Sequence, residues 1–238
     1  MFERYQKQII IPQITKNGQK KLAGSHVLVV GAGGLGSPVL YYLAAAGVGH
    51  IHIIDRDRVD ITNLNRQFLH FEKDIGNLKV DSAKEKLSCF NSTLEITTTA
   101  CLLDEKNAGD LITGKDLVIS CVDNFETRYL LNKTCVKNKA TMVDGGVNGF
   151  YAYVLTVIPG VTPCYNCIYP EELQSRETFG VLGATAGVAG TLMAMQAIKY
   201  LIGIREGFQF TYIDLLSFSF YSMEAKRNSS CAICGSTG

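Results

Sequence analysis

From Val27 to Asp55 the chain reads as an apolar, β-branched run (Val27 to Val30), a glycine cluster (Gly31-Ala-Gly33-Gly34-Leu-Gly36), a helix-like stretch (Ser37 to Ala46) and a second apolar run (His50 to Asp55). This order admits little besides a β-α-β unit, because the glycines permit a tight strand-to-helix turn and a close approach of backbone to ligand. The helix N-terminus that follows suits a phosphate, since its first N–H groups have no partner within the helix. Asp55 closes the second strand, where a carboxylate accepts hydrogen bonds from ribose hydroxyls. By itself this motif most often marks a nicotinamide or flavin dinucleotide site, and it names no reaction.

The pattern continues with helices expected over 77–90 and 125–138 and strands over 94–99, 116–121 and 141–144. Such alternation predicts a parallel sheet with helices on both faces. Beyond Asp144 the pattern changes to longer alternating runs, 150–158, 207–213 and 217–223, interrupted by an apolar helix over 181–203. The expected fold is α/β: a Rossmann-like, mostly parallel sheet extended by antiparallel strands. It forms one unit over 1–238, with a nucleotide-binding half (1–145) and an extension carrying a crossover loop and a metal site (146–238).

Val181 to Ile198 carries no charge, at the lower edge of a membrane-spanning length. Its Gly, Ala and Thr content instead predicts a helix buried against a sheet or a second subunit. The run Ile9 to Ile11 is too short for a signal-peptide core, so a cytoplasmic location is expected. With 23 Lys+Arg against 22 Asp+Glu, the net charge of +1 offers no general field for nucleic acid, so phosphate binding has to be local.

Eight cysteines would be odd as disulfides in a cytosolic chain, since that compartment keeps thiols reduced. Cys164/Cys167 and Cys231/Cys234 are two Cys-x-x-Cys pairs, which together supply the four soft ligands of a tetrahedral Zn²⁺ site. Four sulfurs leave no position for water, so the metal would be structural and would pin the C-terminal tail to the 160s loop. The competing reading, two redox dithiols, lacks the strand-to-helix context that such motifs need. Cys89, Cys101, Cys121 and Cys135 are expected to be small buried hydrophobes.

Just beyond the ribose-binding strand, Asn63, Arg66 and Lys79 add an amide and two cations, suited to a third phosphate and a leaving pyrophosphate that a dinucleotide does not present. Asp123 follows the strand ending at Cys121, where a carboxylate can hold Mg²⁺ against phosphates. The plainer account makes Arg66 and Lys79 surface cations and Asp123 a helix N-cap.

Taken together, these segments resemble the ThiF/MoeB/HesA family, bacterial relatives of ubiquitin-activating enzymes. The shared motifs are Arg4-Tyr-Gln-Lys7-Gln-Ile, the glycine cluster, Ala46-Gly-Val-Gly, Asp55, Asn63-Leu-Asn-Arg66-Gln, Lys79, Asp123-Asn124 and both cysteine pairs. The resemblance implies an adenylyltransferase that binds ATP with Mg²⁺. The C-terminal Gly-Gly carboxylate of a small ubiquitin-like sulfur-carrier protein would attack the α-phosphate, giving acyl-adenylate and pyrophosphate for molybdopterin or thiamine biosynthesis. It further implies that Gly34 approaches the nucleotide, Asp55 binds ribose, Asn63, Arg66 and Lys79 hold the phosphates, and Asp123, with Asn124 nearby, binds Mg²⁺.

The sequence departs from the family pattern twice. Lys7 stands where the family has an arginine that reaches across a homodimer, so the charge is kept and the planar fork lost. The crossover segment 171–180 has no cysteine, and Arg176 occupies the position where sulfur-handling members carry one. Neither Arg176 nor Thr178 can become a thiolate, so a covalent enzyme thioester at that position is excluded and a separate sulfur donor is expected. With Gly238 following Cys234 so closely, no C-terminal rhodanese domain is expected to supply sulfur. The alternatives are adenylation of a peptide natural-product precursor or other carboxylate, and a non-catalytic nucleotide-binding scaffold.

Overall fold

The computed structural model describes residues 2–169, 180–208 and 210–235. The first five strands are β1 (His26–Val30), β2 (His50–Ile54), β3 (Glu95–Thr99), β4 (Leu117–Ser120) and β5 (Met142–Asn148), and three more follow: β6 (Tyr151–Val157), β7 (Phe210–Asp214) and β8 (Ser219–Met223). They form one sheet in the order β3-β2-β1-β4-β5-β6-β7-β8. Pairing is parallel from β3 through β5 and antiparallel from β5 through β8.

The helices are α1 (Gln6–Ile9), α2 (Thr15–Ala23), α3 (Gly36–Ala46), α4 (Lys79–Phe90), α5 (Ala108–Ile112), α6 (Phe125–Lys137), α7 (Tyr165–Ile168) and α8 (Gly183–Ile202). Alternate side chains of β1 feed two separate cores, as the period of a strand requires. Val27 and Val29 join the cluster made with α3, α4 and α8, whereas Leu28 and Val30 join the one made with α5, α6 and α7. Strands buried on both faces explain the near-continuous apolar runs at 27–30 and 117–119.

The expected alternation is present, with differences at its boundaries. The helix expected from residue 77 starts at Lys79, because Leu78 is extended and forms a bridge with Arg58. The strand expected to stop at Asp144 continues to Asn148. Its first residues pair with β4 and its whole length pairs with β6, so the boundary drawn between 145 and 146 falls inside β5. Helix α2 was absent from the sequence reading; its apolar face is little more than buried Leu22 with part-buried Ile14 just before it.

The apolar helix of the second half is α8, packed across α3 and the sheet. The contact is close because Gly190 has no side chain: a Cβ there would collide with Pro38 and with the Leu35 carbonyl. No helix of the described residues is long and apolar enough to cross a membrane.

Candidate nucleotide site and cysteine cluster

The sheet order reverses between β1 and β4, and the carboxyl ends of strands at such a reversal are where open α/β sheets usually bind ligands, in a crevice. Gly31 has φ +100, and a Cβ on it would lie 2.5 Å from the Cys121 carbonyl, so glycine is what lets the first turn close against the end of β4. A Cβ on Gly36 would collide with the Gly31 carbonyl. No side chain caps α3; the Ser37 N–H is held by the Gly33 carbonyl at 2.9 Å, while the Gly36 N–H has no partner among the described residues.

Asp55, Lys79, Arg66 and Asn63 are linked to this turn by a chain of contacts. Asp55 accepts the Ala32 N–H at 2.8 Å with one oxygen and the Asp57 N–H at 2.8 Å with the other. Its carboxylate thus shapes the glycine turn, a duty additional to the expected ribose contact. Asp57 in turn accepts a 2.9 Å bond from the Lys79 ammonium. Lys79 is 5% exposed and is no surface cation, while the Asp57 side chain is 54% exposed.

Arg66 reaches the same turn from the 3-10 segment Ile61–Asn63: a Cβ on Gly34 would lie 3.5 Å from its Cγ. The guanidinium rests on the Thr62 carbonyl and on Asn65 Oδ1, both neutral acceptors within its own loop. Asn63 Oδ1 accepts the Asp60 N–H at 3.3 Å in a reciprocal capping box, so this amide holds the Arg66 loop in shape.

The N-cap of α6 is Asn124, which accepts the Thr127 N–H at 2.9 Å. Asp123, exposed one residue earlier, has no capping task, which removes the plainer account of it. Lys7 lies apart from this group. It is exposed on α1, whose Gln8 bonds the Ala46 carbonyl at the far end of α3, about 16 Å of helix from the glycine turn. Arg176 and Thr178 lie outside the described residues.

Three residues near the crevice were not singled out from sequence: Asp57, Gln67 and His70. Gln67 lies beside Gly33, its Oε1 buried with no partner among the described residues. The signal for Asp57 was its place two residues past Asp55 in the same turn. Gln67 and His70 shared a segment with Arg66, but nothing in their spacing separated them from core residues.

Across the sheet, Cys164, Cys167, Cys231 and Cys234 converge. Their sulfurs lie within 4.8 Å of one another, with separations of 3.8 Å (164 to 167), 3.7 Å (164 to 231) and 3.4 Å (167 to 234). These are far beyond a disulfide bond and near the roughly 3.8 Å edge of a tetrahedron with 2.3 Å metal–sulfur bonds, so the four residues could hold a metal ion. Burial pushes the Cys164 and Cys167 thiols up. At Cys231 burial is outweighed by N–H donation from Cys234 and Ile233 and by the neighbouring thiols, which bring it down to about 7. Of the other cysteines, Cys121 and Cys135 are buried as expected, Cys101 is half-buried, and Cys89 is exposed near the end of α4, contrary to expectation.

Beside Tyr165 of α7, Arg128 is buried against Asp144, with Nε at 3.0 Å from Oδ1, and also donates to the Val122 and Gly145 carbonyls. Tyr153 donates to the other Asp144 oxygen at 2.7 Å. The network ties α6 to β5 and to the strand end that leads into Asp123.

Residues 5–233 match the ThiF family. The chain belongs to that family. ThiF relatives include the "Sulfur carrier protein adenylyltransferase" of Thermus thermophilus, 37% identical over 246 residues, covering 98% of this chain and 90% of the relative. The "Adenylyltransferase and sulfurtransferase UBA4" of Lodderomyces elongisporus is 40% identical over 248 residues; this chain spans 54% of its length and the match covers 98% of this chain. Among solved structures, E. coli MccB with ATP superposes with a TM-score of 0.83 at 27% identity, covering 92% of this chain and 69% of the other.

Proposed function

We propose that this ThiF-family chain is an adenylyltransferase that activates the C-terminal Gly-Gly carboxylate of a small ubiquitin-like sulfur-carrier protein. A carboxylate oxygen attacks the α-phosphorus of ATP, the bond to the β-phosphate oxygen breaks, and acyl-adenylate and pyrophosphate result. The observation that carries this reading is the buried Lys79 ammonium near the glycine turn, whose one partner among the described residues is the solvent-facing Asp57 carboxylate. Relatives named adenylyltransferases support it.

The reaction asks little covalent chemistry of the protein: two anions have to be brought together and charge neutralised as pyrophosphate leaves. The glycine turn at Gly34 and the α3 N-terminus receive the phosphates, Asp55 holds ribose, and Asn63 keeps the Arg66 loop in place. Arg66 and Lys79 neutralise the departing charge, and Lys79 exchanges Asp57 for phosphate as the nucleotide enters. Asp123, which has no capping task and has Asn124 beside it, would bind Mg²⁺, which would supply further charge neutralisation. Lys7, remote from the site of its own subunit, would serve the partner site of a homodimer.

Zn²⁺ in the four-cysteine cluster would be structural, holding the tail to α7. With no cysteine in 171–180, the activated carboxyl passes to a separate sulfur donor without an enzyme thioester at that segment. Carrier-dependent ATP–pyrophosphate exchange is expected, with a hundred-fold or greater loss in Asp123→Ala, on the order of what loss of one preorganised charge costs. ATP bound without exchange, for every Gly-Gly carrier encoded beside the gene, would instead favour the scaffold reading.

A further inference from the structure

We infer that His70 is a positioning residue for the nucleotide turn, holding the Ala32 peptide so that the Gly33 N–H faces the phosphates. The inference rests on the ATP reading above and goes beyond it.

His70 is 3% exposed, and its Nε2 lies 2.8 Å from the Ala32 carbonyl within the glycine cluster. Its Nδ1 lies 2.8 Å from Ser82 Oγ on α4, and the Lys86 ammonium donates to that same hydroxyl at 2.9 Å. A carbonyl can only accept, so Nε2 carries hydrogen. Burial and the nearby Lys86 and Lys79 charges favour the neutral ring over the pull of Asp74 and the Ala32 carbonyl, leaving Nδ1 as acceptor. The hydrogen bonds then run in one direction, Lys86 to Ser82 to His70 to Ala32.

The consequence falls on the next amide. In a trans peptide the carbonyl of Ala32 and the N–H of Gly33 point in opposite directions, and the described residues contain no cis bond. With its oxygen drawn inward to His70 and its own N–H held by Asp55, Ala32 is tied at both ends. Gly33, which is only half-buried, therefore turns its N–H outward, and among the described residues that N–H has no partner. Without the His70 donor the buried carbonyl would be unsatisfied, and the peptide would be free to rotate its oxygen toward the phosphates and repel them.

Glutamine and asparagine separate this role from packing. The Gln amide nitrogen occupies the ε position and reaches Ala32, whereas the Asn nitrogen occupies the δ position and reaches only Ser82. ATP–Mg²⁺ affinity by titration calorimetry, KM for ATP in carrier-dependent exchange, and melting temperature are measured on the full chain. His70→Gln is expected to stay within about three-fold of the unmodified protein and His70→Asn to bind ATP about ten-fold more weakly or worse. The loss should appear in KM more than in the rate at saturating ATP. Equal affinities in the two variants, or losses that follow melting temperature rather than amide position, would overturn the role. Failure of the unmodified protein to bind ATP would overturn the ATP reading and the inference with it.

Discussion

Lys79 and Lys86 lie two turns apart on α4, and both ammonium groups are buried, yet their partners differ in kind. Lys86 meets Asp74, itself 2% exposed, together with the Ser82 hydroxyl. Lys79 meets Asp57, which faces solvent. The first pair cannot part without stranding a charge in the interior, while the second can, because water receives the released carboxylate. One helix thus carries a cation locked into the structure and a cation kept available for an anion. Arg128 and Arg66 repeat the contrast: one is satisfied by Asp144 and two carbonyls, the other rests on atoms of its own loop.

The sharpest way to break this comparison is to replace both lysines with methionine. Lys86→Met should cost about 3–5 kcal/mol of stability, because Asp74 is left buried and unpaired. Lys79→Met should cost at most about 1 kcal/mol, since its exposed partner is rehydrated, yet lower exchange activity roughly a hundred-fold. Urea denaturation and exchange assays on the pair would read this, and equal stability losses would erase the distinction.

A smaller effect tests the cysteine cluster as a third kind of site, closed and given to structure. About one Zn²⁺ per chain is expected by elemental analysis. Cys164→Ser should lower the melting temperature by about 5 °C or more, with ATP affinity little changed. Metal loss with an unaltered melting curve would show that the cluster contributes no stability.

The smallest effect is in pH. Burial, aided by Lys86 and Lys79 and opposed by the Ala32 carbonyl and Asp74, lowers the His70 pKa in the folded state. The unfolded chain then binds the proton first, so stability should fall as pH drops below about 6.5. The fall should be shallower in His70→Gln. Asp74 acts lower on the scale: burial would raise it, but Lys86 and the Phe71 N–H hold it down, so its contribution is lost only as pH falls through its depressed folded value. A midpoint that is flat from pH 7 to 5 in both proteins would refute the His70 assignment.

Much of the architecture was legible because it repeats a local period. The β-α-β unit at 27–55, the parallel alternation and the antiparallel end all follow from apolar spacing and glycine placement. The two Cys-x-x-Cys pairs were legible because thiol spacing is itself the signal. His70 was not, since a buried histidine in an apolar segment looks the same whether it packs or orients. Asn124 displaced Asp123 as the cap of α6 because the two are adjacent, and only the backbone shows which side chain meets the Thr127 N–H.

From its sequence alone this protein determined a nucleotide turn, a set of cations beyond it and four cysteines fit for one metal. Those are matters of residue type and short-range spacing, which the chain carries wherever it goes. The tertiary structure decided which cations are free. Whether a lysine's counter-charge is buried or wet depends on packing between separate segments, and that difference in solvation separates a charge that holds the fold from one that can exchange its partner.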